Sequence, residues 1–140
     1  MIWKNLPDLN QVNQLFDRYL TGLLDIKASE ITADSISASM PISEKVLQPF
    51  GILHGGASVV LAESVGSIAS ALIIDTDKYN AVGLEINANH LRPGKKGSLA
   101  VAKCTPLHIG RSTHVWDIKI HDDKNRMLSV CRLTVAITKK

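Results

Sequence analysis

Apolar positions recur along this chain with more than one period, and the changes of period divide it into elements. After Pro7 and Asp8, the residues Leu9, Val12, Leu15, Phe16 and Tyr19 fall at helical spacing, which predicts a short amphipathic helix that Gly22 ends. Leu23 to Ile31 reads as a strand, and Ala33-Asp34 as a turn. From Ser35 to Ile42 the residues Ile36, Ala38, Met40 and Ile42 alternate with polar ones, the mark of a half-buried strand. Ser43 to Leu53 reads as a loop, because Pro49 argues against regular structure. From Gly55 to about Ile74 apolar residues cover nearly the whole helical circumference, which predicts a long helix buried all round. Its polar exceptions Glu63, Ser67 and Ser70 lie at four- and seven-residue offsets and predict a narrow polar seam. Three or four further strands are predicted, at Ala81 to Leu91, Ser98 to Ile109, Thr113 to His121 and Met127 to Thr138. The links between them are too short for helical crossovers, so the sheet is antiparallel. The expected class is α+β, one antiparallel sheet wrapped around a long central helix.

Composition narrows the function without naming it. A chain of 140 residues suits one domain, 1–140, with a real core. Apolar residues make up 45%, charged residues 21% and aromatic residues 4%. With Glu63, its neighbouring serines and Asp75 counted, no apolar run is expected to span a membrane. The N-terminal stretch lacks the basic-then-apolar layout of a secretory signal. Cys104 and Cys131 have neither metal-site nor redox spacing and read as free thiols, which fits a cytoplasmic protein. The net charge of +3 and pI near 9.0 are mildly basic. Basic residues are dispersed and aromatic residues too few for stacking on single strands, so nucleic acid is not an expected partner. A small polyphosphate ligand fits the modest excess better.

The richest stretch for chemistry is Gln48-Pro49-Phe50-Gly51-Ile52-Leu53-His54-Gly55-Gly56, which runs into the apolar helix carrying Glu63. A Gly-rich helix N-terminus offers unpaired backbone N–H groups to a developing oxyanion. A lone carboxylate in an apolar helix is costly to bury and so has a partner or a task. Read alone, His54-Gly55-Gly56 is also a helix-capping turn, and Glu63 also a satisfied structural carboxylate. His90 and His108 also read as ordinary strand histidines, since no metal-ligand spacing supports them. His114 and His121 read as surface strand positions, and Ser70 as a small packing residue. Neither a metal nor a cofactor is called for.

Four stretches carry a family resemblance: Met1-Ile2-Trp3-Lys4, Gln48 to Glu63 (QPFGILHGGASVVLAE), Val82 to Pro93 (VGLEINANHLRP) and Pro106 to Arg111 (PLHIGR). With the order of elements, they resemble the hotdog-fold thioesterases. The match is to the bacterial branch acting on aromatic acyl-CoA, which includes the naphthoyl-CoA thioesterases of menaquinone synthesis and the proofreading thioesterases of aryl-siderophore assembly. The resemblance implies hydrolysis of an aromatic acyl-CoA to acid and CoA, with an aryl carrier-protein ester as the alternative substrate. It implies Glu63 as the catalytic carboxylate, nucleophile or general base, with the Gly55 N–H and the Gln48 amide on the thioester oxygen. His54 would orient the loop or sit near the sulfur, and Ser67 would hold the attacking water or the carboxylate. The nucleotide would lie near Gly83, near His90, Leu91, Arg92 and Pro93, and near His108, Ile109, Gly110, Arg111 and Ser112. Arg92 and Arg111, beside Gly94 and Gly110, can fork onto phosphate oxygens. Ile68 stands where the family tunes carrier-protein against CoA substrates, and a β-branched residue there looks CoA-like.

One inference joins the spacing to that chemistry. Glu63 lies eight residues past Gly55, about 12 Å along the helix axis. It cannot readily meet an acyl carbon held at its own helix N-terminus. A second, antiparallel copy would bring the two together, so the expected site spans a two-fold dimer interface. The resemblance further implies a tetramer of two such dimers. Two other functions fit less well. A hotdog dehydratase would carry a His-Phe-Pro loop, which this chain lacks, and an acyl-CoA sensor would need a helix-turn-helix segment, which the first 22 residues cannot hold.

Overall fold

The structure is a computed structural model that describes residues 1–140. Helix α1 (Leu9–Phe16) is capped by Asp8, whose carboxylate accepts the Gln11 N–H at 2.9 Å, and it buries Val12 and Phe16. The predicted single helix is in fact two. The chain turns at Tyr19 (φ 55°) and restarts as α2 (Tyr19–Leu23), which runs through Gly22 instead of stopping there. The next strand begins late for a similar reason. Asp25 takes a left-handed conformation (φ 57°), so β1 covers only Lys27–Ile31. Strand β2 (Ile36–Pro41) follows, then a 3₁₀ turn (Glu44–Val46) and the long helix α3 (Gly55–Ile73). Strands β3 (Tyr79–His90), β4 (Leu99–Ile109), β5 (Thr113–His121) and β6 (Met127–Lys139) complete the chain. The six strands form one sheet in the order β1-β2-β4-β5-β6-β3, with every neighbouring pair antiparallel. Helix α3 contacts β2 to β6, so the sheet curls around it as the α+β reading expects.

By length and apolarity α3 would suffice to cross a membrane, contrary to the reading from its polar residues. Its packing identifies it as a core helix instead. Ala57, Ser58, Leu61, Ala62, Val65, Gly66, Ala69 and Ser70 form one buried face against the sheet. At Gly66 a Cβ would stand 2.5 Å from Leu133 Cδ2, so the helix lies as close to β6 as a backbone can. The expectation of burial all round is corrected. The opposite face, with Val59, Val60, Glu63, Ser64, Ser67 and Ile68, is only half-buried, because one curved sheet covers one side of a cylinder. The polar seam is corrected too. Ser70 belongs to the buried face, where its hydroxyl accepts the Trp116 indole N–H at 2.8 Å.

Alternation along β5 explains a further difference. Trp116, Ile118 and Ile120 point inward, and His114 shares their parity, so His114 is buried (2% exposed) and His121 half-buried. His114 Nδ1 has no hydrogen-bond partner. Burial holds this imidazole below its ordinary pKa; the Gly110 carbonyl opposes that shift and the His108 charge adds to it. Cys104 and Cys131 are free and buried, flanking Ile118 in one row across the sheet. Burial, aided by the charge of Asp117, pushes the Cys131 thiol up to about 11 and that of Cys104 well above its ordinary value, so neither is a reactive thiolate. Strand β3 is an open edge, twelve residues long, with Val82 and Leu84 exposed.

Candidate active site

The first turn of α3 decides which donors are available. His54 is the N-cap, with its Nδ1 accepting the Gly56 N–H at 2.8 Å. The His54 carbonyl accepts from Ala57 and Ser58. Three of the four first-turn N–H groups are thus satisfied, and the Gly55 N–H alone has no partner in the chain. It lies where the helix dipole is positive, a ready site for an oxyanion. The capping reading of His54-Gly55-Gly56 and the catalytic one are therefore compatible, since capping by His54 is what singles out Gly55. With Nδ1 as acceptor, His54 carries its proton on the exposed Nε2.

Gln48 is set by a tight turn. Its N–H bonds the Ile52 carbonyl and its carbonyl accepts the Gly51 N–H, both at 2.9 Å. Its Oε1 accepts the Phe50 N–H, which fixes the amide's orientation and leaves both Nε2 hydrogens for a ligand. His90 approaches from β3. Its Nδ1 lies 2.9 Å from Ser129 Oγ, and its Nε2 is 2.7 Å from where a Cβ on Gly55 would stand. A cavity of about 410 Å³ unites Gln48, Gly55, His90, Leu91, Arg92 and Pro93 with Ser58, Leu128 and Ser129. Ser58 and Ser129, both buried, were missed in the sequence. Ser58 is a polar interruption of an apolar helix, a signal that was there to be read. Ser129 is tied to His90 only through a strand pairing 39 residues away, which no local pattern reveals.

Glu63 stands elsewhere. Its half-buried carboxylate packs against Gly83 on β3 and takes part in none of the chain's ion pairs. Ser67 is half-buried one turn further on, and its hydroxyl does not bond Glu63. Sheet register shows how far apart the two groups are. Gly83 lies in one row with Val135, His114 and Ile109, whereas His90 lies in another with Ser129, Ile120 and Ala102. Seven residues of strand separate the rows, on the order of 20 Å. Exposed His108, Ile109, Arg111 and Ser112, with half-buried Gly110, therefore lie at the Glu63 end, and His90 to Pro93 at the Gly55 end. The chain carries two separate candidate half-sites, one with a free N–H donor at a helix terminus and one with a carboxylate.

Comparison with known proteins bears on this division. Residues 50–129 match the family model of the thioesterase superfamily. The 1,4-dihydroxy-2-naphthoyl-CoA hydrolase of Escherichia coli K12 is 46% identical over 137 residues, covering 98% of this chain and 99% of that protein. A crystal structure of a mutant thioesterase from Pseudomonas aeruginosa superposes over 100% of both chains, with a TM-score of 0.96 and 45% identity. A thioesterase from Haemophilus influenzae covers 99% of this chain with 96% of its own, at a TM-score of 0.92 and 42% identity. A free donor at a helix terminus and an unpaired carboxylate are what thioester cleavage asks for, and the scaffold holding them is shared end to end with these proteins: the chain belongs to the thioesterase superfamily and is a hotdog-fold thioester hydrolase.

Proposed function

We propose that the protein hydrolyses aromatic acyl-CoA thioesters to the free acid and CoA, at two composite sites of a homodimer. The observation that carries this reading is the separation of the Gly55 N–H from the Glu63 carboxylate along one chain. Two β3 edges pairing antiparallel, centred between Ile86 and Asn87, would set Gly83 across from His90 of the partner subunit. That arrangement delivers Glu63 to the Gly55 of the partner subunit, and it also covers Val82, Leu84 and the half-buried face of α3. Both halves of the expected CoA contacts, His90 to Pro93 and His108 to Ser112, then border one cleft. In this reading the whole chain acts as one domain, in the cytoplasm, and the dimers pair into a tetramer.

The chemistry follows from the parts. The Gly55 N–H and the Gln48 amide hold the thioester oxygen as it gains charge. Glu63 either takes a proton from an attacking water or attacks the carbonyl carbon itself. With water as the nucleophile, its oxygen bonds the carbonyl carbon and the C–S bond breaks. CoA then leaves as thiolate and takes up the proton held by Glu63, and the acid is released. With direct attack, the C–S bond breaks to leave an acyl–Glu63 anhydride. Water then hydrolyses it, freeing the acid, restoring the carboxylate and supplying the proton for the CoA thiolate. Arg92 and Arg111, both exposed, are the candidate partners for the CoA phosphates. Exposed Phe50 and Leu91 flank the donor half-site and supply an apolar wall for an aryl-pantetheine chain. A naphthoyl-type acid is the leading acyl group, on the strength of the E. coli relative.

Thiol release from benzoyl-, hydroxynaphthoyl-, octanoyl- and acetyl-CoA tests the substrate, with an aryl carrier-protein ester as comparison. Fast aryl-CoA turnover, lost in Glu63→Gln, is the expected outcome; a faster carrier-protein ester would overturn the CoA preference. Mixing tests the composite site. Glu63→Gln and Gln48→Ala are each expected to be nearly inactive alone. Equal mixtures re-form dimers of which half are mixed, each with one intact site, so about a quarter of wild-type activity returns. No recovery from subunits shown to exchange would sink the shared site.

A further inference from the structure

His90 bridges two elements of the donor half-site, and the direction of its hydrogen bond to Ser129 can be worked out. Ser129 is 1% exposed, and His90 Nδ1 at 2.9 Å is the partner of its hydroxyl. If Nδ1–H donated, the serine proton would be left buried without an acceptor. If the hydroxyl donates, only lone pairs go unfilled, the less costly outcome. The hydroxyl therefore donates, and the ring proton resides on Nε2, the nitrogen that lies against Gly55.

We propose that Ser129 is a positioning residue that holds His90 with Nε2–H aimed at the thioester oxygen, as a third donor beside the Gly55 N–H and the Gln48 amide. The proposal rests on the thioesterase reading of this same cavity, which all four residues line. Ser129 touches nothing that reacts; it acts through the ring, whose tautomer and tilt it sets from β6. The lever is short. His90 and Ser129 are direct partners in the β3–β6 ladder, so the backbone holds the two side chains in register.

Two measurements on the full-length protein test this. Long-range ¹⁵N spectra of the imidazoles, with the His90 signal assigned by its loss in His90→Ala, are expected to show the proton on Nε2. A proton on Nδ1 overturns the proposal. Thiol release from benzoyl-CoA then supplies a double-mutant cycle. Ser129→Ala is expected to lower kcat about tenfold, the low end for a group that orients a reacting histidine, with KM little changed. His90→Ala is expected to lose about a hundredfold, the scale of one oxyanion donor. The double variant should be no worse than His90→Ala, and Ser129→Thr, which keeps the hydroxyl, should recover kcat. Additive losses from an active wild type overturn the Ser129 assignment alone. A wild type that releases no thiol from any ester overturns the thioesterase reading, and the donor role falls with it.

Discussion

Replacing Gly83 by alanine should disable the enzyme without harming its fold. A Cβ added there would meet Glu63 Oε1 well inside 3.0 Å, a separation real Cβ atoms essentially never show, whereas ordinary contact lies at 3.4–4 Å. The carboxylate must therefore withdraw by about 1 Å, and a misplacement of that size costs about a hundredfold in rate. This corresponds to about 2.7 kcal/mol of barrier. Stability should hold, because the displaced atom ends a flexible, half-buried side chain and Gly83 is not among the positive-φ glycines. Alanine at a compatible position even tends to stabilise, by about 0.4–1 kcal/mol. The assay is kcat for aryl-CoA thiol release beside a urea melt of the same sample. Glu63→Asp, one methylene shorter, relieves the overlap, so its own loss should shrink in the Gly83→Ala background. Unchanged kcat in Gly83→Ala would refute the placement of Glu63, and a matching fall in stability would show that the fold, not the carboxylate, had moved.

Further outcomes follow from packing and charge. Gly66→Ala should destabilise by about 1–3 kcal/mol in urea despite its helix propensity, because the new methyl meets Leu133 and Ile118; a stabilised variant would mean that α3 can lift off the sheet. The His114 pKa is depressed in the folded state, so the unfolded chain binds the proton better. Stability should therefore fall as pH drops below about 6.5, and His114→Phe should flatten that slope between pH 7 and 5 while removing an unpartnered nitrogen; equal slopes would refute it. Asp122 closes the β5–β6 turn, accepting the Lys124 and Arg126 N–H groups and pairing with the Arg126 side chain. Burial opposes its ionisation, but these contacts outweigh it and lower its pKa, so its contribution is present above about pH 4 and lost as pH falls further. Asp122→Asn should accordingly lower the melting temperature at pH 7, with the gap closing in acid.

What could be read from the sequence was whatever repeats locally. The alternation of β2 and the turns around Gly110 and Asp122 located the strands to within a few residues. The HGGAS stretch located the start of α3, because a glycine pair opening an apolar run has few other uses. The failures share a cause. Tyr19 and Asp25 turn the chain with left-handed backbones, which a tyrosine does not advertise and an aspartate adopts too rarely to mark a boundary by itself. His114 and Ser70 follow the parity of their elements, so polarity misled where position decided. The apolar circumference of α3 was a true signal of burial attributed to the wrong cover. One sheet hides half of that surface and leaves the other half only half-buried beside the open β3 edge, the surface that the proposed second copy would cover.

The two half-sites are built by one reciprocal contact between α3 and β3. A glycine on the helix, Gly55, makes room for a strand side chain, His90, and a glycine on the strand, Gly83, makes room for a helix side chain, Glu63. Helix and strand run in opposite directions, so the same packing that brings His90 to Gly55 holds Glu63 away from it. The distance is therefore a consequence of the fold's own register and cannot be closed by a rotamer change in one chain. Gly66, three residues past Glu63, sets how deeply α3 sits on β6 and β5, and with it the height of both groups above β3. In the proposed dimer, catalytic geometry would depend on one rigid interface inside the chain and one between chains. In that reading the loops would choose the acyl and nucleotide ends of the substrate, which accords with Gln48, Arg92 and Arg111 lying on loops while Gly55 and Glu63 lie on α3.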